Sequence, residues 1–123
     1  MREFDSVGAR LSNARERIGR AARRAGRDPA EVEILAVTKF HPVQAAEAAY
    51  GAGIRIFGEN RVQEALEKYP AFLEGRPGAE VHMLGHLQGN KVRKAAGLFR
   101  CVQSVDSMEL MRDLDRRAAT LGL

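Results

Sequence analysis

Short apolar runs alternate with amphipathic segments four times along this chain of 123 residues. The runs have the length of strands, and the segments between them repeat their apolar positions every three or four residues, as helices do. The runs occupy residues 32–38, 54–57, 81–84 and 101–105. Strands that alternate with helices form parallel sheets with right-handed crossovers. The pattern therefore predicts the α/β class.

The number of strand–helix units limits the choice of architectures. Four units are half of a (β/α)8 barrel, whose usual length is about 250 residues. An open four-stranded sheet of the doubly wound kind is the alternative. The sequence stops at residues 121–123, where a fifth strand is expected, so we expect a fragment or a truncated product. The predicted organisation is a helix over residues 1–27 followed by four βα units over residues 31–123.

The first segment combines an apolar stripe with a high density of arginine. Its apolar residues recur at helical spacing, Gly26 follows them, and Asp28–Pro29 makes a break. Arginines 10, 15, 17, 20, 23, 24 and 27 crowd the segment, and they account for most of the imbalance behind the net charge of +4. Such a helix can contact phosphate backbones, but no aromatic residue is interleaved for base stacking. We predict a solvated helix face and expect no nucleic acid.

Composition excludes several classes of protein. A hydrophobic content of 45% and a charged content of 29% are typical of a globular domain. No apolar run approaches the roughly 20 residues of a membrane span, and the N-terminus lacks an apolar signal region. We therefore expect no membrane association and a cytoplasmic location. The single cysteine, Cys101, has apolar neighbours and is predicted to be a buried, inert thiol.

Lys39 ends the first predicted strand, and Pro42 begins the following helix. The carboxyl ends of parallel strands are where α/β folds place their chemistry. A partly buried lysine at that position loses its charge readily and can attack a carbonyl to form a Schiff base. A solvated strand terminus is the alternative interpretation of Lys39.

Polar residues end the other strands as well. Asn60 follows the second strand, His86 the third, and Ser104 and Asp106 the fourth, so all are expected at one rim of the sheet. Helix capping is the alternative for Asn60, and also for Asp106, which has Glu109 at capping-box spacing.

Other polar positions and a proline are given structural interpretations. His82 lies within a strand and is predicted to be a satisfied core histidine, and His41 is predicted to be exposed. No histidine has metal-ligand spacing with carboxylates, so we predict no metal site. Pro70 is predicted to end or kink the third helix.

Three segments fall in order at suitable distances: Ala-Val-Thr-Lys at 36–39, Phe-Gly-Glu-Asn-Arg-Val-Gln-Glu at 57–64, and His-Met-Leu-Gly-His-Leu-Gln-Gly-Asn-Lys at 82–91. Together they resemble the pyridoxal phosphate homeostasis proteins of the YggS and PROSC type, which are related to the alanine racemase N-terminal barrel. Residues 102–106 are similar to the fourth-strand segment of that family. The resemblance covers nearly all of this chain but only about the first half of a family member.

The resemblance implies a (β/α)8 barrel preceded by an N-terminal helix, with pyridoxal 5′-phosphate held as an aldimine on Lys39. It implies that Asn60 lies near the cofactor ring, and on this basis His82 and Ser104 are further candidate cofactor-binding residues. It also implies a role in vitamin B6 and amino-acid homeostasis without an established catalytic reaction, so no catalytic residue is assigned. The family's phosphate-binding segments lie in the second half of the barrel, which this chain does not contain.

Two other functions stay open from the sequence. A pyridoxal phosphate-dependent enzyme similar to an amino-acid racemase would need an acid–base partner on the opposite face of the cofactor ring. A nucleic-acid-binding module that uses the arginine-rich first helix is a lesser alternative. Because four units leave a sheet edge and the inner face of the sheet uncovered, we expect self-association or pairing with a chain that carries the C-terminal half.

Overall fold

The computed structural model describes residues 3–123, so Met1 and Arg2 of the predicted 1–27 helix lie outside the described residues. Five α-helices and four strands alternate in this part of the chain, in the predicted order. They are α1 (Val7–Arg24), β1 (Leu35–Val37), α2 (Val43–Gly51), β2 (Ile56–Glu59), α3 (Val62–Leu73), β3 (Glu80–Met83), α4 (Val92–Ala96), β4 (Cys101–Val102) and α5 (Met108–Thr120). Short 3₁₀ turns occupy Pro29–Glu31 and Gly89–Lys91.

The four strands form one parallel sheet in the order β1-β2-β3-β4. A doubly wound sheet reverses its strand order at a switch point, whereas a barrel adds each strand beside the last. The sequential order makes the chain a partial barrel, and the doubly wound alternative is wrong. Because right-handed crossovers then run in one direction, the helices lie on one face of the sheet.

The core lies between the sheet and these helices. Phe57, Val81 and Met83 point from the strands into it and are almost fully buried. Tyr69 and Phe72 of α3 pack on Phe57, with ring centroids 6.0 and 5.2 Å from the Phe57 centroid. Such aromatic pairs contribute about 0.5–1.5 kcal/mol each beyond the area that they bury. Helix α3 is thereby fixed against β2.

The opposite face of the sheet, here called the open face, has no helix against it within the described residues. Side chains alternate between the two faces of a strand, so Val37 lies on the open face and is 48% exposed. Gly58 lies between two leucines on this face: a Cβ atom there would come within 2.4 Å of Leu84 Cδ1 and 2.6 Å of Leu35 Cδ2. A side chain at position 58 would push these leucines apart.

Cys101 also lies on the open face, where it pairs in register with His82. It is exposed, so the prediction of a buried thiol is wrong. Phe99 and Val102, the apolar residues near Cys101 in sequence, do not bury it, because β4 has a single neighbouring strand in the described structure and the open face is uncovered.

Helix α1 packs its apolar stripe on the rest of the domain. Leu11 and Ala22 are buried, and the Arg15 guanidinium donates a hydrogen bond to the Ala52 carbonyl at 3.0 Å. The helix ends at Arg24, and Gly26 adopts φ 71°, the left-handed conformation expected after a helix C-terminus.

At three helix boundaries the structure differs from an interpretation that the sequence left open. Pro70 does not end α3, which continues to Leu73, because Tyr69 and Phe72 on either side of the proline are buried in the core. Arg61, rather than Asn60, precedes α3 and makes no side-chain cap. At α5 the cap is Ser107, whose hydroxyl accepts a hydrogen bond from the Leu110 N–H at 3.1 Å.

Within residues 3–123, no helix combines the length and the apolar character that crossing a membrane requires.

Candidate cofactor site

A concave pocket of about 610 Å³ opens at the carboxyl ends of the strands. Lys39 contributes from the segment after β1, and Asn60 from the segment after β2. Gly85 and His86 contribute from the segment after β3. Met83 and Val62 supply apolar wall. The sheet thus brings together residues that are far apart in sequence at the edge where parallel α/β folds build their sites.

Lys39 is the second residue of a turn in which the His41 N–H donates to the Thr38 carbonyl at 3.1 Å. The Lys39 side chain is exposed, so the partial burial expected from the sequence is wrong. Its amine makes no hydrogen bond or ion pair within residues 3–123. The amine is therefore available to a ligand in the pocket.

Asn60 is half-buried, and its amide also makes no hydrogen bond within the described residues. The Asn60 backbone lies unusually close to the segment that follows β3. A Cβ atom on Gly85 in that segment would come within 2.3 Å of the Asn60 carbonyl oxygen. The Leu84 N–H donates to the Glu59 carbonyl at 2.8 Å beside it. Backbone contacts, rather than side-chain bonds, thus place the Asn60 amide at the pocket.

The pocket is basic. Arg61 and Lys91 line it together with Lys39, and none of its described lining residues carries a carboxylate. The Arg61 guanidinium lies 5.5 Å from the centroid of the exposed Phe40 ring. The His86 Nδ1 atom lies 3.2 Å from an Asp106 carboxylate oxygen at the rim. Clustered cations of this kind attract anionic ligands.

The other two predicted cofactor-binding residues do not line this pocket. His82 lies on the open face, where its Nε2 atom is 2.9 Å from Glu80 Oε1 and its Nδ1 atom is 3.0 Å from Gln103 Nε2. The Ser104 hydroxyl donates to the Gly85 carbonyl at 2.6 Å. Ser104 thereby supports the segment that carries His86. Cofactor contact by His82 and Ser104 stays a prediction.

Sequence reasoning missed a buried polar cluster on the helix side of the sheet, directly behind the pocket. We call it the Lys68 network; its members are Thr38, Glu59, Glu64, Lys68 and Tyr69. The one signal in the sequence is the spacing of Glu64 and Lys68, which puts an acid four residues before a base on a helix. That spacing predicts a surface pair and gives no indication of burial.

Two members of the network have shifted pKa values. Burial alone raises the pKa of Glu64, but hydrogen bonds from the Lys68 ammonium and the Phe40 N–H outweigh it, and the pKa lies below its ordinary value. Burial raises the pKa of Tyr69 far above its ordinary value. The Tyr69 phenol therefore stays protonated and donates to the Thr38 hydroxyl, which donates to Glu59.

A second pocket of similar size, about 630 Å³, lies at the opposite end of the strands. Its lining includes Ile18, Ile34 and Ile54 and mixes arginines with glutamates. It contains no lysine, and it lies at the amino ends of the strands, where barrel enzymes do not build their sites. Among residues 3–123, no group of three or more His, Cys, Asp or Glu side chains is placed to hold a metal ion.

Comparison with known protein families assigns the chain to a family. Residues 10–122 match the model of the alanine racemase N-terminal domain. The chain belongs to this family. The family resemblance inferred from the three sequence segments is confirmed. Because residues 10–122 include every residue that lines the pocket, the alanine racemase N-terminal domain of this chain includes the candidate site.

Curated relatives of this domain carry the name pyridoxal phosphate homeostasis protein. The protein of that name from Escherichia coli K12 is 40% identical over 120 residues, which are 96% of this chain and 51% of the relative. The one from Synechocystis is 45% identical over 94 residues, which are 76% of this chain and 43% of the relative. The chain thus spans about half the length of the curated relatives that it matches.

Solved structures show the same fold. PipY of Synechococcus elongatus PCC7942, solved with PLP bound, is 48% identical and superposes with a TM-score of 0.72 over 85% of this chain and 49% of PipY. An unknown protein from Bifidobacterium adolescentis is 30% identical, with a TM-score of 0.88 over 100% of this chain and 54% of that protein. The partial barrel described here corresponds to about half of each structure.

Proposed function

We propose that this chain is the N-terminal half of a pyridoxal phosphate-binding barrel, in which Lys39 binds the cofactor covalently. One observation carries the proposal: Lys39, Asn60 and a basic rim line a single pocket at the carboxyl ends of the strands. PipY, which has PLP bound in its structure, is 48% identical and supports the choice of cofactor. The N-terminal helix and four βα units, residues 1–27 and 31–123, form one unit in this proposal.

The residues present fit this cofactor. Lys39 would hold the cofactor through reversible condensation of its amine with the aldehyde, which would release one water molecule. The Asn60 amide offers a donor and an acceptor to ring substituents. Arg61 and Lys91 attract an anionic molecule into the pocket. When bound, pyridoxal phosphate supplies an electron-withdrawing ring that stabilises negative charge on an attached carbon.

We infer that this site stores the cofactor and does not turn over an amino acid, and that it serves vitamin B6 homeostasis in the cytoplasm. The names of the curated relatives support this role. Racemisation needs a positioned acid–base group on each face of the ring. The titratable groups that line the pocket are Lys39 and Lys91, together with His86, whose side chain is two-thirds exposed beside Asp106. A racemase assay with L-amino acids tests this inference, since turnover would contradict it.

The second half of the barrel is also part of the proposal. The chain spans about half the length of its relatives, and no helix of residues 3–123 covers the open face of its sheet, where Val37 is exposed. We propose that this face is covered by a chain that supplies the remaining units, or by a second copy of this chain. Such a partner would add further ligands for the cofactor phosphate.

Reductive labelling tests the role of Lys39. The chain is incubated with pyridoxal phosphate and reduced with cyanoborohydride, and the label on each of the four lysines is measured by peptide mass spectrometry. We expect Lys39 to be labelled at least severalfold more than Lys94, an exposed lysine of α4 outside the pocket. Lys39→Ala should abolish the yellow absorbance, while the matched Lys94→Ala variant should keep it. A fixed adduct and absorbance that survive in a folded Lys39→Ala variant would contradict the assignment.

A further inference from the structure

The Lys68 network places a carboxylate where carboxylates are rarely found. The Glu59 side chain is 0% exposed, and Lys68, its ion-pair partner, is 13% exposed. The Glu59 Oε1 atom is buried without a hydrogen-bond partner among residues 3–123. A buried ion pair is weak support for stability, because well-packed apolar residues often serve as well or better. The position of the pair therefore calls for another explanation.

Lys68 holds both ends of the turn that carries Lys39. Its Nζ atom donates to the Thr38 carbonyl and to the His41 carbonyl, each at 2.9 Å. These carbonyls belong to the first and last residues of the four-residue turn. The same Nζ atom lies 2.9 Å from Glu59 Oε2 and 3.0 Å from Glu64 Oε1. The two carboxylates thus fix the ammonium, and the ammonium fixes the turn.

The turn has a conformation that its own sequence does not favour. Phe40 adopts φ 64°, in the left-handed region that residues other than glycine rarely occupy. Phe40 is 69% exposed, so packing of the ring does not account for this conformation. The Phe40 N–H donates to Glu64 Oε1 at 2.6 Å. Strained backbone persists where its surroundings hold it, and here Glu64 and Lys68 make the contacts that do so.

We propose that Glu59, Glu64 and Lys68 are positioning residues that hold the Lys39 turn in the shape that presents its amine to the pocket. Lys68 acts from the helix side of the sheet and does not line the pocket. This inference rests on the proposed function of Lys39. It assigns the Gly-Glu-Asn segment two roles, since Glu59 supports the turn from behind while Asn60 faces the ligand.

Four variants separate positioning from stability alone. Glu59→Gln combined with Lys68→Met removes the clamp on the turn and leaves no charge at the fully buried Glu59 position. Glu64 loses its ion-pair partner in this variant, but its side chain is 22% exposed and still accepts from the Phe40 N–H. Lys68→Arg keeps the charge and is the conservative rescue. Glu64→Ala removes the acceptor of the Phe40 N–H and leaves the buried pair intact. Glu67→Ala is the matched control, because it makes the same change at an exposed position of the same helix.

The readouts are the ratio of pyridoxal label on Lys39 to that on Lys94 and the hydrogen exchange of the Phe40 amide. We expect the ratio to fall about tenfold in the double variant and severalfold in Glu64→Ala, since small displacements of a reacting group have large effects on rate. Protection of the Phe40 amide should fall in the same variants. Lys68→Arg should keep most of the labelling, and Glu67→Ala should match the wild type in both measurements.

The outcomes are decisive in each direction. A double variant that folds and labels Lys39 at the wild-type ratio would overturn the positioning role. If the double variant does not fold, the comparison of Glu64→Ala with Glu67→Ala decides, and equal ratios with equal Phe40 protection overturn it. If the wild type shows no preference for Lys39, the proposed function fails; Phe40 protection then still decides whether Glu64 holds the turn.

Discussion

Glu59 and Asn60 are neighbours in the chain, yet Glu59 is buried among the helices and Asn60 lines the candidate pocket. The Glu59 carboxylate is fully buried against Lys68 of α3, whereas the Asn60 amide lines the pocket that contains Lys39. Gly58, directly before them, leaves room for Leu35 and Leu84 to approach each other on the open face. Gly58 therefore lies on the open face, Glu59 on the helix side of the sheet, and Asn60 at the pocket.

We expect Asn60→Ala to weaken pyridoxal phosphate binding severalfold, or to shift the absorbance of the bound cofactor. The lost contact is a single hydrogen-bonding group, worth about 0.5–1.5 kcal/mol. The fold should be unaffected, because Asn60 does not cap α3. Titration followed by absorbance measures both quantities, with Asn90→Ala in the exposed 3₁₀ turn as the matched control. Unchanged affinity and spectrum would remove Asn60 from the site.

Gly85→Ala should destabilise the chain, because the added Cβ atom would lie 2.3 Å from the Asn60 carbonyl oxygen and backbone would have to move. Overpacking of this kind costs about 1–3 kcal/mol. Gly97→Ala is the matched control, since nothing lies within 4 Å of a Cβ atom there. Urea unfolding of both variants gives the comparison. Equal free energies of unfolding would show that the close approach of these two segments is not required.

The contribution of Glu64 to stability should depend on pH in a defined direction. Its pKa in the folded chain lies below the ordinary value of 4.5, so the unfolded chain binds the proton more readily. The stabilisation is therefore present above about pH 4.5 and is lost as the pH falls through the folded pKa. Urea unfolding at neutral and acidic pH should show the difference between wild type and Glu64→Ala shrinking in acid. A difference that is constant with pH would contradict this account, and Glu67→Ala serves as the control.

The sequence predicts the order of strands and helices because each βα unit carries its own periodicity. It also predicts that Lys39 and Asn60 share a rim, since the carboxyl ends of parallel strands meet at one edge. The environment of Glu59 does not follow from such patterns. Whether a residue at a strand end faces helices or ligand depends on the exact last residue of β2, which was expected at Phe57 and is Glu59. Because the end of β2 was misplaced by two residues, the Lys68 network was not predicted.

The same limit explains the error at Cys101 and the continuation of α3 past Pro70. Phe99 and Val102 lie near Cys101 in sequence, but the exposure of Cys101 depends on what covers the open face. Pro70 is unfavourable inside a helix, but the burial of Tyr69 and Phe72 outweighs that local preference. Both outcomes are decided by tertiary packing and not by propensity.

The open face of the sheet predicts association of the isolated chain. Val37 is 48% exposed there, and Leu35, Ile56 and Cys101 share the face, so apolar surface that a complete barrel would bury meets solvent. We expect sedimentation to show a species larger than the 13.5 kDa monomer. Val37→Glu should shift the population towards monomer, because pairing would bury an uncompensated carboxylate. Met111→Glu, which puts the same charge on an exposed position of α5, should leave association unchanged. A compact wild-type monomer that unfolds cooperatively would show that the half barrel is stable without a partner. Tight pyridoxal phosphate binding by that monomer would show that the second half of the barrel is not needed for the site.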